Sequence, residues 1–86
     1  MGLDGVELAM EVEDEFQIRL DDDVAAACRT VSDLVFVVVS ELRAKGESVR
    51  EHEIEFRVRE IVADQFGLRV ERVRLEDHFV DDLGMD

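Results

Sequence analysis

Apolar positions in residues 4–16 recur with a helical period. At about 100° per residue, Leu8, Ala9, Val12 and Phe16 fall within one arc of roughly 100°. Asp4, Glu7, Glu11 and Asp14 follow i, i+3, i+7, i+10 and form a stripe on the opposite side. Leu3, Val6 and Met10 lie with the acids rather than with the apolar arc. Two readings stay open for these three. They form a contact site for a partner, or a second face buried under a neighbouring helix or loop. A second periodic stretch places Ile54, Val58, Ile61, Val62 and Phe66 on one face, with Gly67 where a left-handed residue ends a helix. The pattern predicts helices over residues 3–17 and 49–66 as the two longest, packed antiparallel through complementary apolar faces.

Between them, Asp21-Asp22-Asp23 precedes Val24-Ala25-Ala26-Ala27-Cys28, where an acidic N-cap and first turn start a short helix. Thr30 is placed to cap a third helix, with Asp33 at its third position. The apolar run Leu34–Val39 also has strand propensity. The cap before it and its continuation into Ser40-Glu41-Leu42-Arg43 favour a buried helix, ended at Gly46 with Lys45 in the last turn. Ser48-Val49-Arg50-Glu51 has the capping-box pattern for the next helix. Residues 68–86 have no sustained period, yet Leu68, Val70, Val73, Leu75, Phe79, Val80 and Leu83 recur too often for a solvated tail. They predict a structured loop packed on the core. The expected fold is all-α: a bundle of three or four helices with one long structured loop, in a single domain spanning residues 1–86. Residues 43–50 are its only linker-like stretch.

Composition narrows the partners. Hydrophobic residues make up 47% of the 86, enough to exclude a disordered chain although 38% are charged. The net charge of −13 argues against nucleic acid and anionic membrane. Acids crowd the N-terminal quarter, where residues 1–23 hold nine against Arg19 alone. They make either a solubilising face or a docking surface for basic patches on other proteins. Cys28 is the sole cysteine, so no intrachain disulfide forms, and a reducing cytoplasm is the expected location. The N-terminus is acidic, unlike a signal peptide, and Leu34–Val39 is far too short to span a bilayer.

Catalytic chemistry is poorly supplied. Thr30, Ser32, Ser40 and Ser48 are the only side-chain hydroxyls, and each suits a cap or a helix surface. His52 and His78 share no metal-ligand spacing with Cys28. Cys28, closing an alanine-rich helix, reads as a small buried residue. Three consecutive aspartates do not converge as in a calcium loop, so Asp21–Asp23 predict no metal site. No catalytic residue and no enzyme activity are expected.

Particular segments carry a family resemblance. Phe79-Val80-Asp81-Asp82-Leu83-Gly84-Met85-Asp86 and Leu3-Asp4-Gly5-Val6-Glu7-Leu8 resemble the two sides of the prosthetic-group site of acyl carrier proteins. Met10, Glu13-Asp14-Glu15-Phe16 and Arg29-Thr30-Val31-Ser32-Asp33-Leu34 extend the resemblance. Residues 55–86 are similar to the family's first helix and long loop, and residues 3–39 to its second, third and fourth helices. The order is swapped, as in a circular permutation, with residues 43–50 joining the two halves. A short linker closes such a gap at a loop-entropy cost that grows slowly with length.

The resemblance implies an acyl-carrier-like bundle, and for the family a serine bearing 4′-phosphopantetheine. Gly2 stands at that position, as does Gly5 if the register shifts by a turn, and neither offers a hydroxyl oxygen. No cofactor is therefore expected. Asp21 stands where many family members have proline, and both residues suit a helix start. The family's second helix is its recognition helix. The resemblance assigns partner contacts to the acids Asp4, Glu7, Glu13 and Asp14 and the apolar Leu3, Val6 and Met10, to which the helical stripe adds Glu11. The leading expectation is a monomeric, non-enzymatic interaction module that has lost the prosthetic arm. The alternatives are a working carrier in fatty-acid or polyketide-type metabolism, its arm attached elsewhere or supplied by a partner, and a structural protein that swaps helices between copies.

Overall fold

A computed structural model describes the backbone of residues 3–85 and the side chains of residues 5–85. Among the described residues four helices follow one another: α1 (Leu3–Phe16), α2 (Asp22–Ala27), α3 (Val31–Ala44) and α4 (Glu51–Phe66), with one 3₁₀ turn at Val70–Arg72. The architecture is an all-α bundle, with no strand among the described residues.

Each inward face is the one its periodicity marks. Leu8 and Val12 of α1 are buried, with Ala9 and Phe16 packed beside them. Val58, Ile61, Val62 and Ala63 of α4 meet them, with Ile54 and Phe66 at the margins. Glu7 near the start of α1 is bonded to Gln65 near the end of α4, and Glu15 to Arg57 near its start. The two helices therefore run antiparallel. The valine-rich stretch is helical, because Thr30 and Asp33 form a reciprocal capping box and Val31, Leu34, Val38, Val39 and Leu42 supply the buried side chains.

Boundaries differ from the expected ones in three places. The third helix, at 14 residues, is as long as α1, so α4 has two equal partners rather than one. α1 stops at Phe16, because Gln17 takes a left-handed conformation (φ 54°) and the Ile18 N–H turns back to the Glu13 carbonyl. α4 starts at Glu51 rather than 49. Arg50 occupies the cap position without a side-chain cap bond, and its carbonyl accepts from the Glu53 and Ile54 N–H groups. Glu51 and Glu53 complement the helix dipole there, and the capping box suggested by Ser48 does not form. The connection between α3 and α4 accordingly shortens to residues 45–50.

The segment after α4 is irregular but ordered by burial and hydrogen bonds. Val73 and Phe79 are buried in the core. The Arg59 side chain donates to the Val70 and Val73 carbonyls. Carbonyls of Leu75 and Asp77 accept the first N–H groups of α3, from Ser32 at 2.9 Å and Val31 at 3.1 Å. Two donors that a helix start leaves open are thereby satisfied. Asp77 is only 4% exposed, and its carboxylate accepts from the Arg74 N–H and pairs with that residue's guanidinium. This loop fixes the start of α3.

Candidate functional site

The outward face of α1 combines exposed apolar and acidic side chains. Val6 is 46% exposed and Met10 61%, and the long loop does not cover them. Glu7, Glu11 and Asp14 are exposed around them. Leu3 and Asp4 begin the helix, but their side chains lie outside the described set. An open groove on this face is lined by the apolar Met10 and Ile18 and by the acids Glu7, Glu11, Glu13 and Asp14. Glu13 differs from the other acids. It is half-buried, and its carboxylate accepts the Leu20 N–H at 2.8 Å, bracing the chain between α1 and α2.

Beneath the opposite side of α1 lies a feature that the residue pattern did not announce, a cavity of about 360 Å³. Leu8, Leu20, Leu34, Phe79 and Met85 form its apolar wall, with Arg29 and His78 also contributing. It opens because Gly5, Ala9, Ala25 and Ala26 bring little side-chain volume to it. Those small residues were the available signal. Gly5, near one end of the chain, and Met85, near the other, line this same cavity. Its lining suits an aliphatic segment.

Hydroxyl groups are absent from both features. No serine or threonine occurs in residues 1–29 or 49–86. The Thr30 hydroxyl accepts the Asp33 N–H at the α3 cap, while Ser32 and Ser40 are exposed on α3 and Ser48 on the connection. Gly2, the position assigned to the attachment serine, lies outside the described residues. The side chains present thus do not fit a phosphodiester-linked arm at the start of α1.

Electrostatic perturbations serve the fold more than any reaction. Hydrogen bonds from the Arg29 and Thr30 N–H groups hold the Asp33 carboxyl below the usual carboxylate range. The Arg57 guanidinium does the same to Glu15 at 2.8 Å, and Glu15 in turn raises the Arg57 pKa. Both side chains of that pair are well exposed, so water and salt screen it. Cys28 is half-buried rather than fully buried. Its thiol donates to the Val24 carbonyl, and burial, then the nearby Asp33 charge, pushes its pKa up, which opposes thiolate reactivity. Among the described residues no group of His, Cys, Asp and Glu is arranged to hold a metal ion. Nor is any helix among them long and apolar enough to cross a membrane.

Known proteins share part of this sequence. Over 44 residues the chain is 43% identical to "Acyl carrier protein 3" of Ralstonia nicotianae. The chain resembles an acyl carrier protein over half its length. That alignment covers 51% of this chain and 51% of the relative, so the match spans about half the length of each. No family model matches the chain, and no solved structure matches it. The all-helical bundle is consistent with that partial similarity.

Proposed function

We propose that this protein is an acyl-carrier-like domain in permuted helix order that has lost its covalent arm and serves as a docking module for basic proteins. The observation that carries the reading is the exposure of Val6 and Met10 on α1 among Glu7, Glu11 and Asp14. Folding gains little from two apolar side chains left in water. A partner that covers them gains affinity from the apolar contact, while the acids select cationic surfaces and speed encounter. Leu3 and Asp4 extend the same stripe by sequence position.

Permutation is supported by two features. An alignment that stops at half of each chain is what a swapped order leaves to a collinear comparison. Gly5 and Met85 share one cavity, as expected if residues 79–86 and 3–8 were once continuous. The reading also takes in the apolar cavity, which leaves room for an aliphatic ligand without supplying an oxygen to tether it.

Loss of the arm is tested by intact mass. After incubation with coenzyme A and a broad-specificity phosphopantetheinyl transferase, the mass is expected to stay unchanged, because no hydroxyl stands at Gly2 or Gly5. A gain of one phosphopantetheine, about 340 Da of covalent modification, would show that a different hydroxyl carries the arm and that the chain is a working carrier.

A further inference from the structure

A second exposed apolar surface lies away from α1, between α2 and α3. Phe36 is 72% exposed, the most exposed of the large apolar side chains among the described residues, and Val24 of α2 is 36% exposed. With Ala27 and Val37 they line a shallow groove that carries Asp23 and Asp33 as its charged side chains. A single exposed apolar residue calls for no explanation. Here four apolar side chains from two helices form one surface. Phenylalanine is also a poorer helix former than alanine or leucine, so its place on the outer face of α3 does not serve the helix.

We propose that this groove is a docking surface for a cationic amphipathic segment of another protein. Charge selects the occupant. A neutral apolar segment would bury Asp23 and Asp33 against nothing that compensates their desolvation. A second copy of the chain, itself at −13, would set the same aspartates against each other. A segment carrying a leucine-sized anchor flanked by lysine or arginine covers Phe36 and Val24 and pairs with both acids. The Asp33 carboxylate is already fixed in place by the Arg29 and Thr30 N–H groups, so it meets a partner in a defined position. Asp23, Val24 and Ala27 lie on α2, which buries none of its own residues and thus leaves its side chains available. None of the residues lining this groove lines the α1 groove, so the proposal stands whether or not α1 docks a partner.

The test uses the whole chain, isotopically labelled and titrated at low salt with a synthetic lysine/leucine amphipathic peptide and a glutamate/leucine counterpart. The lysine peptide is expected to give saturable amide shifts at Val24, Ala27, Phe36 and Val37, and the glutamate peptide none. Phe36→Ser is expected to weaken binding by about tenfold, the effect of losing one well-packed anchor, with an unchanged melting temperature. Asp23→Lys should weaken it without touching the apolar contact. Shifts confined to the Val6 and Met10 face, or equal affinity for wild type and Phe36→Ser, would overturn the proposal. Concentration-dependent self-association abolished by Phe36→Ser would overturn it too, by making a second copy the occupant.

Discussion

The inward and outward faces of α1 each carry apolar residues at helical spacing, yet only one set is used by the fold. Leu8 and Val12 are 4% and 0% exposed, whereas Val6 and Met10, on the same helix, are 46% and 61% exposed. Neighbouring elements decide the difference. The inward set meets Val58, Ile61 and Val62 of α4, while none of the described elements covers the outward set, and acids surround it. Hydrophobicity by itself therefore does not separate a core residue from a contact residue. The company it keeps on the helical wheel does, since residues in the acidic sector are barred from the core by the cost of burying their charged neighbours.

Removing an inward residue should have the largest effect on the fold. Leu8→Ala is expected to destabilise the domain by about 2–5 kcal/mol, because it enlarges a cavity that Leu8 already lines. Chemical denaturation checks this. The α1 docking face should bind as before in whatever fraction remains folded. Loss of binding in the folded fraction would mean that the two faces are not independent.

Acid should weaken the α3 cap and the Glu15–Arg57 pair. Asp33 is held below its ordinary value of 3.8 and Glu15 below 4.5. Their contributions are present above those ordinary values and are lost as pH falls through the lower folded-state values. Protonation elsewhere relieves repulsion in a chain of net charge −13, so the informative quantity is a difference between variants. Asp33→Ala is expected to cost about 1 kcal/mol at neutral pH, the order of a lost hydrogen bond, because the Arg29 and Thr30 N–H groups lose their acceptor. The gap from wild type should close as pH falls below about 3.8, the ordinary carboxylate value. Melting temperatures of the two proteins between neutral and acid pH measure it. A gap that persists in acid would remove the ionised cap from the account.

The helices were legible because their signals are local. Thr30 and Asp33 stand three residues apart and cap α3, Gly46 and Gly67 stand at helix ends with positive φ, and the inward residues repeat every three or four positions. The same spacing set Val6 and Met10 apart from the inward face but left open whether a neighbouring element covers them, and the structure leaves them exposed. What the pattern did not carry rests on contacts distant in sequence. The Ser32 and Val31 N–H groups find carbonyls in residues 75–77, more than 40 positions away, and no period marks such a pairing. The resemblance assigned Glu13 a partner contact, and spacing did not show that its carboxylate also braces the Leu20 backbone, a contact set by the turn after α1. The start of α4 shifted because the Ser48 pattern competes with an extended approach through Arg50, and local pattern alone does not rank the two. The cavity under α1 arises from small residues on separate elements that meet only in the folded chain.

The central claim is that the outward face of α1 docks basic partners and adds little to the fold beyond the exposed Glu7–Gln65 hydrogen bond. The most direct measurement titrates a basic carrier-binding enzyme with wild type, Glu7→Lys/Glu11→Lys and Val6→Ser/Met10→Ser at two salt concentrations. Both variants should melt within about 0.5 kcal/mol of wild type, as surface substitutions do. Affinity should fall in both. Wild-type binding should weaken as salt rises from about 50 to 200 mM and the Debye length shortens toward about 8 Å, while the charge-reversed variant should lose that salt dependence. If the Glu7/Glu11 reversal binds as tightly as wild type at both salt concentrations, the outward face of α1 is a solvated surface and the docking role is contradicted.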